Sequence, residues 1–179
     1  MPSNLGKLIL RMVTGLLLAG HGSQKLFGWF GGQGMEGTVG MVESFGLRPA
    51  RRWAFLAGLS EFGGGILTSL GFLHPIGPIV LMAPMSMAIA KVHWNKPIWV
   101  AEGGGELPLT NIAVATMLML SGPGRFSLDR LLGIRLGWPI TALVAVTTAA
   151  GIILGIATRP TTTEQMEEET ATAELQVGA

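Results

Sequence analysis

Cysteine is absent from the chain. Disulfides, thiolate catalysis and cysteine-ligated metal or iron–sulfur centres are therefore excluded, and any redox centre must come from elsewhere. Charge is also scarce: Asp, Glu, Lys and Arg supply 13% of the residues, against roughly 25% in a soluble domain. With 49% hydrophobic residues and a positive mean hydropathy, most of the chain is poorly suited to water. The 12 basic and 11 acidic residues leave a net charge of +1. No basic stripe interleaved with aromatics is present, so nucleic acid is not an expected partner. Gly63, Gly64 and Gly65 lie inside an apolar stretch without a following Lys-Ser or Lys-Thr. They make a close-packing surface rather than a phosphate loop.

What remains is a series of long apolar runs. About 20 such residues cross a bilayer as a helix, and five windows approach that length: Leu5–Phe27, Trp53–Gly71, Ile76–Trp94, Leu107–Ser121 and Trp138–Ile156. The fold class is therefore all-α, an integral membrane four-helix bundle plus a fifth C-terminal transmembrane helix. The expected division is a four-helix membrane domain over 1–136, the added helix over 137–159, and a disordered acidic tail over 160–179, rich in threonine and glutamate. The first run lacks a small-x-small cleavage site and is read as an uncleaved span. The expected location is the inner membrane, multi-pass.

Long cationic side chains at the ends of a span, such as Lys7, Arg11 and Lys25, can snorkel to the headgroups. His74 and Pro75 form a tight turn that folds the third window back beside the second. In the connection Gly28–Arg52, residues Met35, Val39, Val42 and Phe45 share one helical face, which predicts a short interfacial helix. In Ser127–Leu136, Leu128, Leu131 and Leu132 oppose Asp129, Arg130 and Arg135, a pattern that predicts a second helix lying along the surface. Basic residues fall on both sides, so the positive-inside rule does not choose an orientation.

Ionisable groups within spans are costly and mark candidate function. His21 and Lys25, four apart, share a face at the end of the first span. Glu61 lies about eight residues into the second and must be neutral, hydrogen-bonded or paired with a cation. His93 closes the third span, and Glu106 opens the fourth behind Gly103, Gly104 and Gly105. With spans alternating in direction, His21, Lys25, His93 and Glu106 reach one membrane face, with Glu61 about two turns deeper. The expectation is a polar pocket able to hold a quinone headgroup, relay protons or bind a small anion; a packing network is the competing explanation. No ligand pair stands at metal-binding spacing, so no metal site is expected.

In His21-Gly22, Lys25-Leu26-Phe27-Gly28, Glu61-Phe62-Gly63-Gly64-Gly65, Met87 to His93, Gly105-Glu106 and Gly122-Pro123-Gly124-Arg125-Phe126-Ser127-Leu128-Asp129, the chain resembles the DoxX family of small bacterial and archaeal membrane proteins. That family includes DoxD-type subunits of thiosulfate:quinone oxidoreductase. The resemblance spans about Leu5 to Asp129 and implies a four-helix bundle close to membrane redox chemistry; the fifth span and the tail depart from it. The leading expectation is a membrane subunit of a redox-linked complex, with a membrane redox protein as partner and quinone as the ligand. It carries no intrinsic cofactor, so electrons arrive from a partner, and whether the chain is itself an enzyme stays open. The alternative is a non-enzymatic scaffold or assembly subunit of a larger membrane complex.

Overall fold

Each apolar window becomes a helix in the computed structural model, which describes residues 2–158. The first helix, α1, spans Pro2–Phe27 and stops at Gly28, whose φ of 72° is left-handed and poorly tolerated by any residue with a Cβ. Then come α2 (Gly34–Ser44), α3 (Ala50–Leu70) and α4 (Ile76–Ala88), which runs on as a π-helical turn over Ile89–His93. The remainder is α5 (Glu106–Ser121), α6 (Leu128–Leu132) and α7 (Trp138–Ala157). No strand occurs among the described residues. Gly71, at φ 60°, closes α3: its N–H bonds Thr68 O and that of Phe72 bonds Leu67 O, the paired terminal bonds of a Schellman motif.

Glycines set how closely the helices approach. A Cβ on Gly65 would lie 2.5 Å from both Ala19 N and Gly15 O, and one on Gly22 would run into the backbone of Phe62. Helices α1 and α3 are thus in backbone contact and antiparallel, and α4 returns along α3, where a Cβ on Gly64 would meet Val80. The amide of Asn111 on α5 reaches Met85 on α4, and Gly155 on α7 abuts Met87 on the same helix. So α1, α4 and α7 finish at one end of the molecule, where α3 and α5 begin.

Two helical stretches, Ile76–His93 and Trp138–Ala157, are long and apolar enough to cross a membrane by themselves. The other long helices carry Lys7, Arg11, Lys25 and Glu61 within them. Their outer faces are nonetheless apolar: Ile9, Val13 and Leu17 on α1, Phe55 and Leu59 on α3, and Leu143, Val146 and Ile153 on α7 are all exposed. An apolar coat this extensive is unsuited to water.

The face expected to make α2 interfacial is instead packed on the protein. Met35, Val39, Val42 and Phe45 close a cluster with Leu47, Ala50, Ala54, Trp53 and Met87. The second surface segment shrinks to the one-turn α6, and its apolar and polar residues do not separate by face: Leu131 is 78% exposed while Asp129 is 5% exposed. The reason is a better use for the carboxylate, which accepts 2.8 Å hydrogen bonds from the N–H groups of both Leu73 and His74. Arg11 does not snorkel either. Buried at 3% exposure, its guanidinium donates to the carbonyls of Thr68, Ser69, Phe126 and Pro123, capping the end of α3 where unpaired carbonyls gather. Lys7 donates to Ser121 O, so the segment after α5 is tied to both α1 and the α3–α4 turn. The acidic tail expected over 160–179 lies outside the described residues.

Two predictions follow from this packing. Gly65→Ala should lower unfolding stability in detergent by about 1–3 kcal/mol through overpacking. Gly20→Ala, where a Cβ meets nothing within 4 Å, should be neutral or stabilising; equal losses at both sites in a denaturant titration would refute the close contact. At the α3–α4 turn, burial pushes the His74 imidazole below its ordinary value, reinforced by Arg11 and Lys7 and only partly opposed by Met119 O and Asp129. The unfolded chain then binds the proton more readily, so stability is full above about pH 6.5 and falls as the pH drops towards the folded value. His74→Gln should flatten that acid slope.

Candidate functional site

The Gly28 stop fixes where α1 ends and leaves Lys25 in its last turn, a favourable place for a cation. Thr38 of α2 is buried, and its one hydroxyl hydrogen is shared between Gly34 O at 2.7 Å and Lys25 O at 3.2 Å, the latter a terminal carbonyl of α1. On α3, Gly58 keeps the space beside this turn clear: a Cβ there would lie 2.7 Å from Leu26 Cδ2 and 3.5 Å from Lys25 Cβ. The Lys25 side chain passes across Gly58 to Glu61, one helical turn further on, and its ammonium meets Oε1 at 2.6 Å. The carboxylate side chain is 4% exposed and the lysine 27%. Phe27 stacks edge-on against Phe62 beside the pair.

Only one carboxylate oxygen is used. Glu61 Oε2 is buried without a hydrogen-bond partner, a costly arrangement that native proteins seldom keep without use. Lys25 also lines an apolar cavity of about 360 Å³, walled by Val42 and Phe45 near α2, Trp53, Ala57 and Ser60 on α3, Val80 and Pro84 on α4, and Thr148 and Gly151 on α7. That volume is at the small end for organic ligands. Lys25 is the sole charged group in the lining. Its ammonium has three donor hydrogens, of which the ion pair engages one. The site can therefore offer a donor to an acceptor atom at the cavity wall, with a carboxylate directly behind it.

The other expected residues are placed differently. His21 is exposed and its ring bonds Gln24 on the same helix at 3.1 Å. His93 Nδ1 bonds the carbonyl of Gly103 at 2.6 Å, pinning the 95–105 connection to the end of α4. Glu106 is half-buried at the start of α5, next to Gly105, where a Cβ would lie 3.3 Å from His93 Cβ. His93 and Glu106 thus form a second polar grouping at the same end, on the α4–α5 side. Arg11 and Asp129, buried at the far end, were given no such role by the sequence; their acceptors and donors are distant in the chain, and no local pattern marks them.

A helical chain with this apolar exterior is a membrane protein. The DoxX family model matches residues 6–94, a stretch that includes both partners of the ion pair. The chain is also similar to "Putative oxidoreductase CatD" of Bacillus subtilis (strain 168), with 29% identity over 125 residues, 70% of this chain and 85% of that protein. No solved structure matches it.

The ion pair gives an asymmetric prediction. Lys25→Met strands Glu61 in an apolar site and should cost about 3–5 kcal/mol of stability. Glu61→Leu should cost less, because the lysine is already partly exposed. Combining both should recover most of the loss in a detergent unfolding cycle; strictly additive losses would mean the pair is not coupled.

Proposed function

We propose that the chain is a membrane subunit of a redox-linked complex and that Lys25, lining the apolar cavity and held by Glu61 behind it, binds a quinone head. In this reading α1, α3, α4 and α5 cross the inner membrane as a four-helix bundle, α7 adds a fifth span, and a membrane redox protein supplies electrons. The single observation that carries it is a buried carboxylate with one unpartnered oxygen, paired to the one cation of an otherwise apolar cavity. The name of the Bacillus relative agrees with redox work.

A bound quinone supplies the electron and proton couple. Lys25 Nζ donates a hydrogen bond to an acceptor oxygen at the cavity wall, while Glu61 Oε1 holds the ammonium in place. Glu61 takes or returns a proton through Oε1, the oxygen that Lys25 bonds. Trp53, Phe45 and Val80 keep water from the same wall. His93 and Glu106 lie at the same end and belong to a proton path to the surface, and His21 faces outward at its margin.

The test is purification in mild detergent, with quinone quantified by mass spectrometry and partners identified alongside. Wild-type protein should retain quinone. Glu61→Gln should reduce binding of added quinone at least tenfold while leaving the helical spectrum unchanged, and unaltered binding would assign Glu61 to packing alone. Protein partners recovered with no quinone would move the function to assembly of a larger complex.

A further inference from the structure

The cavity exists because α7 is held firmly at one point and stands off elsewhere. Near its C-terminus, a Cβ on Gly155 would come within 2.8 Å of Met87 Sδ and Cε, and 3.6 Å of the Trp53 ring. Lys91 reaches the carbonyls of Ile156 and Thr158, anchoring the same end to α4. One turn earlier on the same face, a Cβ on Gly151 meets no atom within 4 Å. Gly151 and Gly155 are four apart and share a helical face, yet one is a seat and the other borders space. That space is the cavity, which Thr147, Thr148, Gly151 and Ile152 close from the α7 side.

Its polarity is uneven. Apart from Lys25, the polar lining consists of Ser60, Thr147 and Thr148, and the hydroxyls of Ser60 and Thr147 already donate to their own helix carbonyls. The rim residues Met41, Leu56 and Thr147 are exposed, so the cavity opens on the apolar exterior between α3 and α7. About 360 Å³ accommodates a ring and a short length of chain, and a longer tail must leave through that opening. We infer that α7 is the specificity wall of the site. Gly151 leaves the passage through which the hydrocarbon tail of an amphiphilic quinone runs from a ring at Lys25 out into the lipid.

This inference rests on the quinone reading and adds a determinant on a helix outside the 6–94 family match. Gly151 touches neither member of the ion pair, so its substitution changes the passage and not the head site. Gly151→Leu fills the passage; Gly151→Ala fills it less and, as a helix-interior change without a clash, should hold or raise the thermal midpoint. Binding is measured in detergent by quenching of tryptophan fluorescence, with Trp53 in the wall as reporter, for a tail-less naphthoquinone (menadione) and a decyl-tailed benzoquinone.

Expected are an affinity loss for the decyl-tailed quinone of at least tenfold in Gly151→Leu, a smaller graded loss in Gly151→Ala, and menadione binding within about threefold of wild type. Unchanged binding of the tailed quinone in Gly151→Leu, or an equal loss for both quinones, overturns the tail passage while the head site stands. A wild-type protein that binds neither quinone overturns both readings.

Discussion

An ionised carboxylate inside an apolar helix has to be met by a cation at hydrogen-bond distance, because the isolated charge is far too costly in a medium of low dielectric. Glu61 is met by Lys25 at 2.6 Å, and much of the surrounding architecture makes that distance possible. A lysine at the end of α1 reaches the interior of α3 only if the two backbones nearly touch. Gly15, Gly22, Gly58 and Gly65 remove the side chains that would hold them apart. Small residues between helices serve the same purpose in lipid, where apolar association alone gives little drive. The Gly28 stop then sets the length of α1, and the Thr38 hydroxyl lies within reach of a carbonyl that the stop exposes.

At the opposite end the polar groups are nearly all paired. Arg11 collects carbonyls from the last turn of α3 and from the segment after α5, and Asp129 receives two backbone N–H groups of the α3–α4 turn. These charge-assisted bonds join four parts of the chain that hydrophobic contact would leave free to slide. This end works as a lock. It fixes the relative heights of α1, α3 and α5, and hence the height at which Lys25 stands beside Glu61.

The helices, their approximate ends and the need of Glu61 for a partner were legible in the sequence because each has a local cause: apolar length, a glycine stop, a charge inside a span. What escaped has causes that are remote. The carbonyls that bury Arg11 include Pro123 and Phe126, 112 and 115 residues away, so a cation free to snorkel and a cation that caps a neighbour look alike locally. Asp129 shared a face with Arg130 and Arg135 by periodicity, but α6 has a single turn, too short for periodicity to govern burial. His21 and Lys25 do share a helix, yet Lys25 turns towards α3 and His21 outward, a choice made by the position of Gly58 and not by the four-residue spacing. The α2 face was recognised as apolar, while its partner, the start of α3, could not be distinguished from a lipid surface.

The accounting of unpaired polar atoms separates a lock from a site. Among the described residues two buried side-chain oxygens lack partners, Thr68 Oγ1 and Glu61 Oε2. Thr68 borders a void of about 10 Å³ shared with Arg11 and His74, room for one water at most, and a hydroxyl left unpaired there is a modest cost. Glu61 carries a charge, and its lysine partner lines a cavity some thirty-fold larger with almost no other polar group. Evolution of a packing element alone would favour a second donor for Oε2 or an apolar pair of the same volume, either of which is more stable. A half-satisfied carboxylate behind a single cation, at the head of an apolar cavity that opens between α3 and α7, leaves that cation with donor hydrogens to spare at the cavity wall.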